Sequence, residues 1–475
     1  MSVPVLLLLG WLTAPGLVGA AEPEPVHLAV VVGFNGSAQR ADLRFADDDA
    51  ARYFELLAPG MDKAWLLTVF DDASQEVFDG LVDVARLPTM EGLQAVLLEV
   101  EAHLVAAKAR GARTELTFVY AGHGDVSDGT GYVNLEGSRL TRPKFEELVL
   151  DGISADRIHV VIDACRSYFL VSSRGPGGAR EPAEEGYAGP RRRPGVGYVL
   201  STSNDAESHE WASFQGGVFS HEVRSALTGA ADLDGDGDVD YQELAAFVAV
   251  ANEGIPQARY RPRFFIQPPS EDKDASVFHT GRLDLAESVS GRIRVTDARG
   301  VPYADLHKAK GDHVRVALTR EGPHTIAWNN RQCRLDGAVE RADLTELTAT
   351  PTENVAARTQ PHEAFQHLFT TPMSADVLRG WRLGARLTAP APQTPERRRW
   401  LPPALVATGL AVTAGGAALL VAGAQTRSDL SDPTLSQVDR ISRAEDGDLL
   451  VAAGVATAAT GLVVGAIGGW LWGSK

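Results

Sequence analysis

At 475 residues the chain is longer than one typical domain, and 44% hydrophobic residues are enough for substantial cores. Its 45 basic against 62 acidic residues leave a net charge of −17, which argues against a nucleic-acid role, because neutralising phosphates needs clustered Lys and Arg. The two cysteines, Cys165 and Cys333, say little about redox compartment.

Val3 to Val18 form an apolar run that ends at Gly19-Ala20 before the polar Ala21-Glu22-Pro23-Glu24-Pro25, the pattern of a signal peptide over residues 1–20. The n-region has no Lys or Arg, which leaves an uncleaved anchor as the alternative. Val26 to Gly33 reads as a continuous apolar strand, and Phe45 to Leu57 as its helix, with Asp47, Asp48 and Asp49 favourable in the first turn. Trp65 to Phe70 is the next strand. Met90 to Ala107 is helical, with Leu93, Val96, Leu97, Val100 and Leu104 on one face. Strand alternating with helix is the α/β signature.

The stretch from Thr114 to Ser167 organises the rest. An apolar run, Leu116 to Tyr120, breaks at Ala121-Gly122-His123-Gly124-Asp125, and a second, Ile158 to Ile162, breaks at Asp163-Ala164-Cys165-Arg166-Ser167. With a helical pattern between them (Arg142 to Leu150), these read as two parallel buried strands joined by a crossover. Each delivers one reactive side chain, His123 or Cys165, to the carboxyl edge of the sheet, where open α/β sheets place their sites. A histidine held beside a cysteine is what activates a thiol.

These residues resemble the caspase and metacaspase clan of cysteine peptidases, in its bacterial caspase-like branch. The caspase signature reads Q-A-C, then Arg, Gln or Gly, then Gly, with the histidine about 50 residues upstream. Here it reads Asp163-Ala164-Cys165-Arg166-Ser167, with His123 standing 42 residues before Cys165. The resemblance covers residues 26 to about 270. It implies a mainly parallel sheet flanked by helices, with Cys165 as nucleophile, His123 as base, and the backbone N–H groups of Gly124 and Cys165 as oxyanion donors. Asp163 replaces the caspase glutamine, as in metacaspases, and Ser167 replaces the usual glycine. Asp163 resembles the acidic pocket residue of metacaspases, and Asp205, in the polar loop Asn204 to Glu210, stands where the opposite pocket wall is expected. Cleavage after Arg or Lys follows, and the Gly-, Pro- and Arg-rich linker 172–195 becomes a candidate self-cleavage site.

Gly197 to Ser203 reads as a further strand, and a helix begins at Val218. His209 and His221 are the competing histidines, and both read as solvated or capping residues. Asp232 to Glu243 matches an EF-hand loop: side-chain oxygens from Asp232, Asp234 and Asp236, a glycine at the sharp turn, a carbonyl from Asp238, Asp240 through water, and bidentate Glu243. Ca2+ is the cofactor it implies, since aspartates this crowded repel one another without a cation. The loop is solitary: no second one is present to pair with it.

From Gly281 to Leu347 the pattern changes to short alternating runs, a small antiparallel β module; residues 363–384 read as helical and 387–400 as a linker. Leu401 to Ala424 and Leu449 to Trp472 read as two transmembrane helices. Repeats at Ala414, Ala418, Ala422 and at Gly461, Gly465, Gly469 suggest a close-packed hairpin. A cleaved signal peptide would put the catalytic domain on the exported side; Arg397 to Arg399 would pull the other way.

The expected protein is thus a membrane-anchored, caspase-like cysteine endopeptidase acting on proteins or peptides. The rivals are an idle caspase-like scaffold and a membrane-tethered calcium sensor. Oligomeric state is not legible.

Overall fold

The computed structural model describes residues 23–171, 194–201, 210–232, 234–257, 260–279, 283–285, 290–312, 314–316, 322–328, 331–335, 341–342, 350–351, 364–374, 376, 401–429 and 437–473. The expected signal peptide, nearly all of linker 172–195 and the linker 387–400 lie outside them. Residues 1–387 form one compact unit and 388–475 a second.

The first unit is built on a six-stranded sheet of β1 (Val26–Phe34), β2 (Lys63–Leu67), β3 (Thr114–Gly122), β7 (Arg157–Asp163), β8 (Val196–Ser201) and β12 (Phe264–Gln267), in the order β12-β8-β7-β3-β1-β2. All neighbours are parallel except β12, which runs against β8. Because successive side chains alternate faces, each apolar run feeds two cores. Val31, Val119, Val161 and Val199 face one core, with helices α1 (Ala46–Leu57), α7 (Val218–Ser225) and α8 (Tyr241–Glu253). Val30, Phe118, Val160 and Leu200 face the other, with α4 (Met90–Ala109) and Phe145 of α5 (Arg142–Phe145). Short helices α2 (Asp72–Val77), α3 (Asp79–Val82) and α6 (Tyr168–Val171) complete the shell.

The crossover between β3 and β7 holds more than the expected helix. It begins with a three-stranded antiparallel sheet, β4 (Gly124–Ser127), β5 (Thr130–Leu135) and β6 (Ser138–Thr141), before α5 and the π-helical turn Glu146–Asp151. Asp128 (φ 52°) and Gly129 (φ 75°) make the two-residue turn of the β4–β5 hairpin, the conformation that favours Asp-Gly.

In the second half, β9 (Glu210–Trp211) pairs with β10 (Gly216–Gly217), and β11 (Asp238–Asp240) pairs antiparallel with β13 (Ser276–His279). The alternating region forms a five-stranded sheet of β15 (Gly291–Thr296), β16 (Pro302–Lys308), β18 (His324–Trp328), β19 (Arg331–Leu335) and β21 (Thr350–Pro351), with β14 (Leu283–Leu285), β17 (Val314–Val316) and β20 (Arg341–Ala342) in a three-stranded one. Its core is continuous with that of the α/β half, since Ile293, Val295, Leu306 and Ile326 belong to the same buried cluster as Phe219 and Val223 of α7. Cys333 is a buried thiol of β19. The helix expected over 363–384 does not extend through its described part: residues 366–369 form a turn with Phe369 at φ 55°, and Met373 bridges to Lys308.

Both C-terminal apolar segments are helical, Leu401–Ser428 and Gln437–Gly473. Among the described residues, one stretch, Ser442–Val463, is long and apolar enough to cross a membrane, not the two expected. The contact stripe also differs. In the first helix Gly416 and Gly423 are buried, against Gly447 and Gly454, whereas Ala414 and Ala418 are exposed; in the second, the expected Gly461 is buried in line with Gly447 and Gly454, and the side-chain positions of Gly465 and Gly469 lie outside the described residues. A Cβ on Gly416 would lie 2.5 Å from the Ala458 nitrogen, so glycine is required for this approach. The buried glycines on each helix stand seven residues apart.

The two-faced core makes a direct prediction. Phe118 is fully buried and packs edge-to-face on Phe145 at 5.6 Å, so Phe118→Ala should cost about 3–5 kcal/mol, read as a lowered denaturation midpoint of the detergent-solubilised chain.

Candidate active site

The register of β3 on β7 sets the site. Ala121 lies opposite Asp163 on parallel strands, so His123 and Cys165, each two residues further on, leave neighbouring strand ends together. Sheet order reverses between β1 and β3, which makes this edge a topological switch point. The glycines around His123 are demanded by space. A Cβ on Gly124 would lie 2.5 Å from Cys165 O and 2.9 Å from Ala164 Cβ, and one on Gly122 would lie 2.6 Å from the Tyr120 hydroxyl and 2.7 Å from Phe34 O. The histidine and cysteine loops are therefore in backbone contact.

A salt bridge closes the same two loops. Asp125 binds Arg166 at 3.3 Å through Oδ1 and Arg40 through Oδ2. Arg166 sits at φ 54°, a left-handed conformation uncommon outside glycine, directly after Cys165. Ser167, where the signature has glycine, is buried and donates its hydroxyl to Ser201 O.

His123 is 8% exposed, and its Nε2 lies 3.1 Å from Ala41 O. A carbonyl only accepts, so Nε2 carries the hydrogen and Nδ1 keeps the lone pair that can take a proton. Burial lowers the His123 pKa, and the Ala41 carbonyl opposes it. Cys165 is half-buried and makes no disulfide. On the oxyanion side, Asn134 N–H donates to His123 O, so the next pair in the antiparallel register, Gly124 with Val133, is a non-hydrogen-bonded one. The Gly124 N–H thus points away from the β4–β5 ladder.

Beside the pair two buried carboxylates approach each other, only one of which belongs to the expected set. Asp163 accepts from the Ser220 N–H at 3.0 Å, and Asp49 of α1 accepts from the Gly217 N–H at 2.7 Å. A Cβ on Gly217 would lie 2.8 Å from Asp163 Oδ2 and 3.1 Å from Asp49 Oδ2, so both carboxylates converge on the space that glycine leaves. Asp205 and His209 lie outside the described residues. The first-turn aspartates of α1 are not a solvated face: Asp47 accepts from Asn35 and from the Asp71 N–H, while Asp49 pairs with Arg224 at 2.9 Å. Glu210 caps the start of α1, accepting from the Arg44 and Phe45 N–H groups at 3.0 Å.

Burial dominates the electrostatics here. It raises Asp49 to about 7 against the pull of Arg224 and Arg52, and it raises Asp163 against donors from Ser220 and Ser201. Asp48 is likewise raised by burial to about 7, with Arg52 opposing. His221 corrects its expected role. It is fully buried, hydrogen-bonded to Asp305 at 2.9 Å and lowered by burial to about 4, so it is neither solvated nor a cap.

In the EF-hand-like loop, Asp232, Asp234 and Asp236 bring carboxylate oxygens within 4.8 Å of one another. Asp238, Asp240 and Glu243 are not in that group. Asp240 caps α8, accepting from the Gln242 and Glu243 N–H groups, and Glu243 Oε2 accepts from the Asp240 N–H in return. The partner strand that a second loop would provide is β13, with Phe278 opposite Val239.

The lowered His123 gives a measurable sign. The NMR signal that disappears in His123→Ala should titrate in wild type with a midpoint below the ordinary histidine value of about 6.5; a midpoint above it would mean that a negative charge, not burial, governs the ring. A scan against protein-family models finds none that matches the chain, and a search of curated proteins finds no match.

Proposed function

We propose that residues 26 to about 270 are a caspase-like cysteine endopeptidase with a Cys165–His123 dyad that cuts after Arg or Lys. The observation that carries the reading is the joint delivery of both side chains from adjacent parallel strands, with Gly124 against Cys165 and the His123 ring fixed by Ala41 O. The thiol gives its proton to Nδ1 of His123, and the sulfur attacks the peptide carbonyl carbon. The N–H groups of Gly124 and Cys165 receive the developing oxyanion. His123 then protonates the leaving amine, and water hydrolyses the thioester with the same ring as base. Asp163, held by backbone and hydroxyl donors, carries the preference for a basic side chain, since Arg224 already pairs with Asp49 beside it.

We further infer that the loop 232–243 holds Ca2+. The donor set is all oxygen, as a hard cation prefers, and three carboxylates already converge. Asp232, Asp234 and Asp236 would hold the ion, with the Asp238 carbonyl, Asp240 and Glu243 completing the set. Its part is to brace the start of α8, not the bond-breaking. The apolar stretch Ser442–Val463 would tether the enzyme to a membrane, with the catalytic unit on the exported side.

A thiol-reactive peptidyl probe tests the dyad. Cys165→Ala should lose labelling and hydrolysis completely, and His123→Ala should lose at least about 100-fold in kcat/KM with the fold retained; full turnover by Cys165→Ala refutes the mechanism. On fluorogenic peptides, Asp163→Asn should raise KM for Arg substrates more than it lowers kcat, and wild-type turnover after Asp equal to that after Arg removes the acidic-pocket assignment. Calorimetry should detect calcium at millimolar concentration and not with Glu243→Gln, and saturation at 100 Kd should add about 2.7 kcal/mol of stability.

A further inference from the structure

Strands β15 and β16 bear on the back of the acidic pocket through a buried charge cluster. In α7, Ser220, His221, Glu222, Arg224 and Ser225 are each 2% exposed or less. Two of them serve the site directly, the Ser220 N–H on Asp163 and Arg224 on Asp49. Two others are held by one residue of β16. Asp305 accepts from His221 Nε2 at 2.9 Å, and its own N–H donates to Ser225 Oγ at 3.0 Å.

The Asp305 carboxylate is fully buried and takes Arg294 Nε at 2.9 and 3.2 Å, with Arg292 Nη2 at 3.5 Å. Arg294 lies 5.5 Å from the centre of the Phe214 ring, and His221 stacks on that ring at 3.8 Å. Phe214 belongs to the turn between β9 and β10, whose Phe214 and Gln215 carbonyls accept from Arg52 and whose Gln215, at φ 48°, leads into Gly216–Gly217. The helix and the turn that shape the pocket therefore share one support. An ionised carboxylate at full burial is costly unless compensated, and here the compensation comes from both α7 and β15.

We propose that Asp305 is a positioning residue of the specificity pocket: through His221 and Ser225 it fixes α7 so that Ser220 and Arg224 keep Asp163 and Asp49 facing a basic substrate side chain. The role for substrate rests on the peptidase reading above; the support of the wall does not.

The test compares full-length wild type, Asp305→Ala and the near-isosteric Asp305→Asn in detergent. The first readout is amide hydrogen exchange at Gly217 and Ser220, which donate to the two carboxylates and need no activity to be read. Exchange there should quicken about tenfold in Asp305→Ala and about threefold in Asp305→Asn, with β1 and β3 amides unchanged. The second is labelling of Cys165 by an arginyl chloromethyl ketone relative to iodoacetamide: the ratio should fall about tenfold in Asp305→Ala while the iodoacetamide rate stays within about twofold. Unchanged exchange at Gly217 and Ser220 in the variant that folds, or an equal rise across β1 and β3, overturns the proposal. So does a parallel loss of both labelling rates. If wild type shows no preference for the arginyl reagent, the peptidase reading fails, and exchange alone decides whether Asp305 holds the wall.

Discussion

The close approach of Gly124 to Cys165 is the constraint on which the site depends. Parallel strands in register place residues side by side, but a side chain on Gly124 would hold the two loops apart by the width of a methyl group. With glycine there, the β3 end can fold back as β4, Asp125 reaches Arg166, and Arg40 joins them from the loop after β1. That loop also supplies Ala41 O to His123. Three segments distant in sequence are thus tied at one sheet edge by a single steric permission, and the positive φ of Arg166 is the strain this arrangement retains.

Burying charge beside such an edge requires mutual satisfaction. Asp49, Arg52, Arg224 and Asp163 would each be expensive alone in this environment. They are tolerable because Asp49 takes Arg224 and the Gly217 N–H, Arg52 takes two carbonyls, and Asp163 takes the Ser220 N–H. Removing Arg224 would strand Asp49 and cost about 3–5 kcal/mol by the usual penalty for a broken buried pair. The same logic explains why α7 is polar on nearly every side yet wholly inside: its neighbours on both flanks are charged.

How much of this was legible follows from what each feature looks like in sequence. Buried parallel strands are continuous apolar runs that break at turn or polar residues, so β1, β3 and β7 stand out in sequence, and with them His123 and Cys165. The Asp47–Asp49 run did not reveal its role, because acidic residues in a first helical turn look the same whether they face water or Arg224. His221 was misjudged for a related reason: a polar helix face reads as solvated unless the strand that covers it is known, and β16 lies far along the chain. Asp128-Gly129 carries a hairpin signal in the sequence itself. Ala41 had none to offer, since a backbone carbonyl has no residue type. In the terminal helices a four-residue stripe of small side chains suggests the contact; steric need selects Gly416 and Gly423 in place of Ala414 and Ala418 on the first helix, and Gly461 is buried in line with Gly447 and Gly454 on the second.

The solitary calcium-type loop has a structural answer in β13. An acidic loop of this kind is held open on one side, because its short strand, Asp238–Asp240, presents an unpaired edge. In this chain Ser276–His279 covers that edge, with Phe278 opposite Val239, and it does so from the segment that follows β12 of the main sheet. The loop is therefore clamped between α7, which leads toward it, and β13, while Tyr241 of α8 reaches His159 of β7 at 2.7 Å. These ties make the loop part of the domain without a second loop.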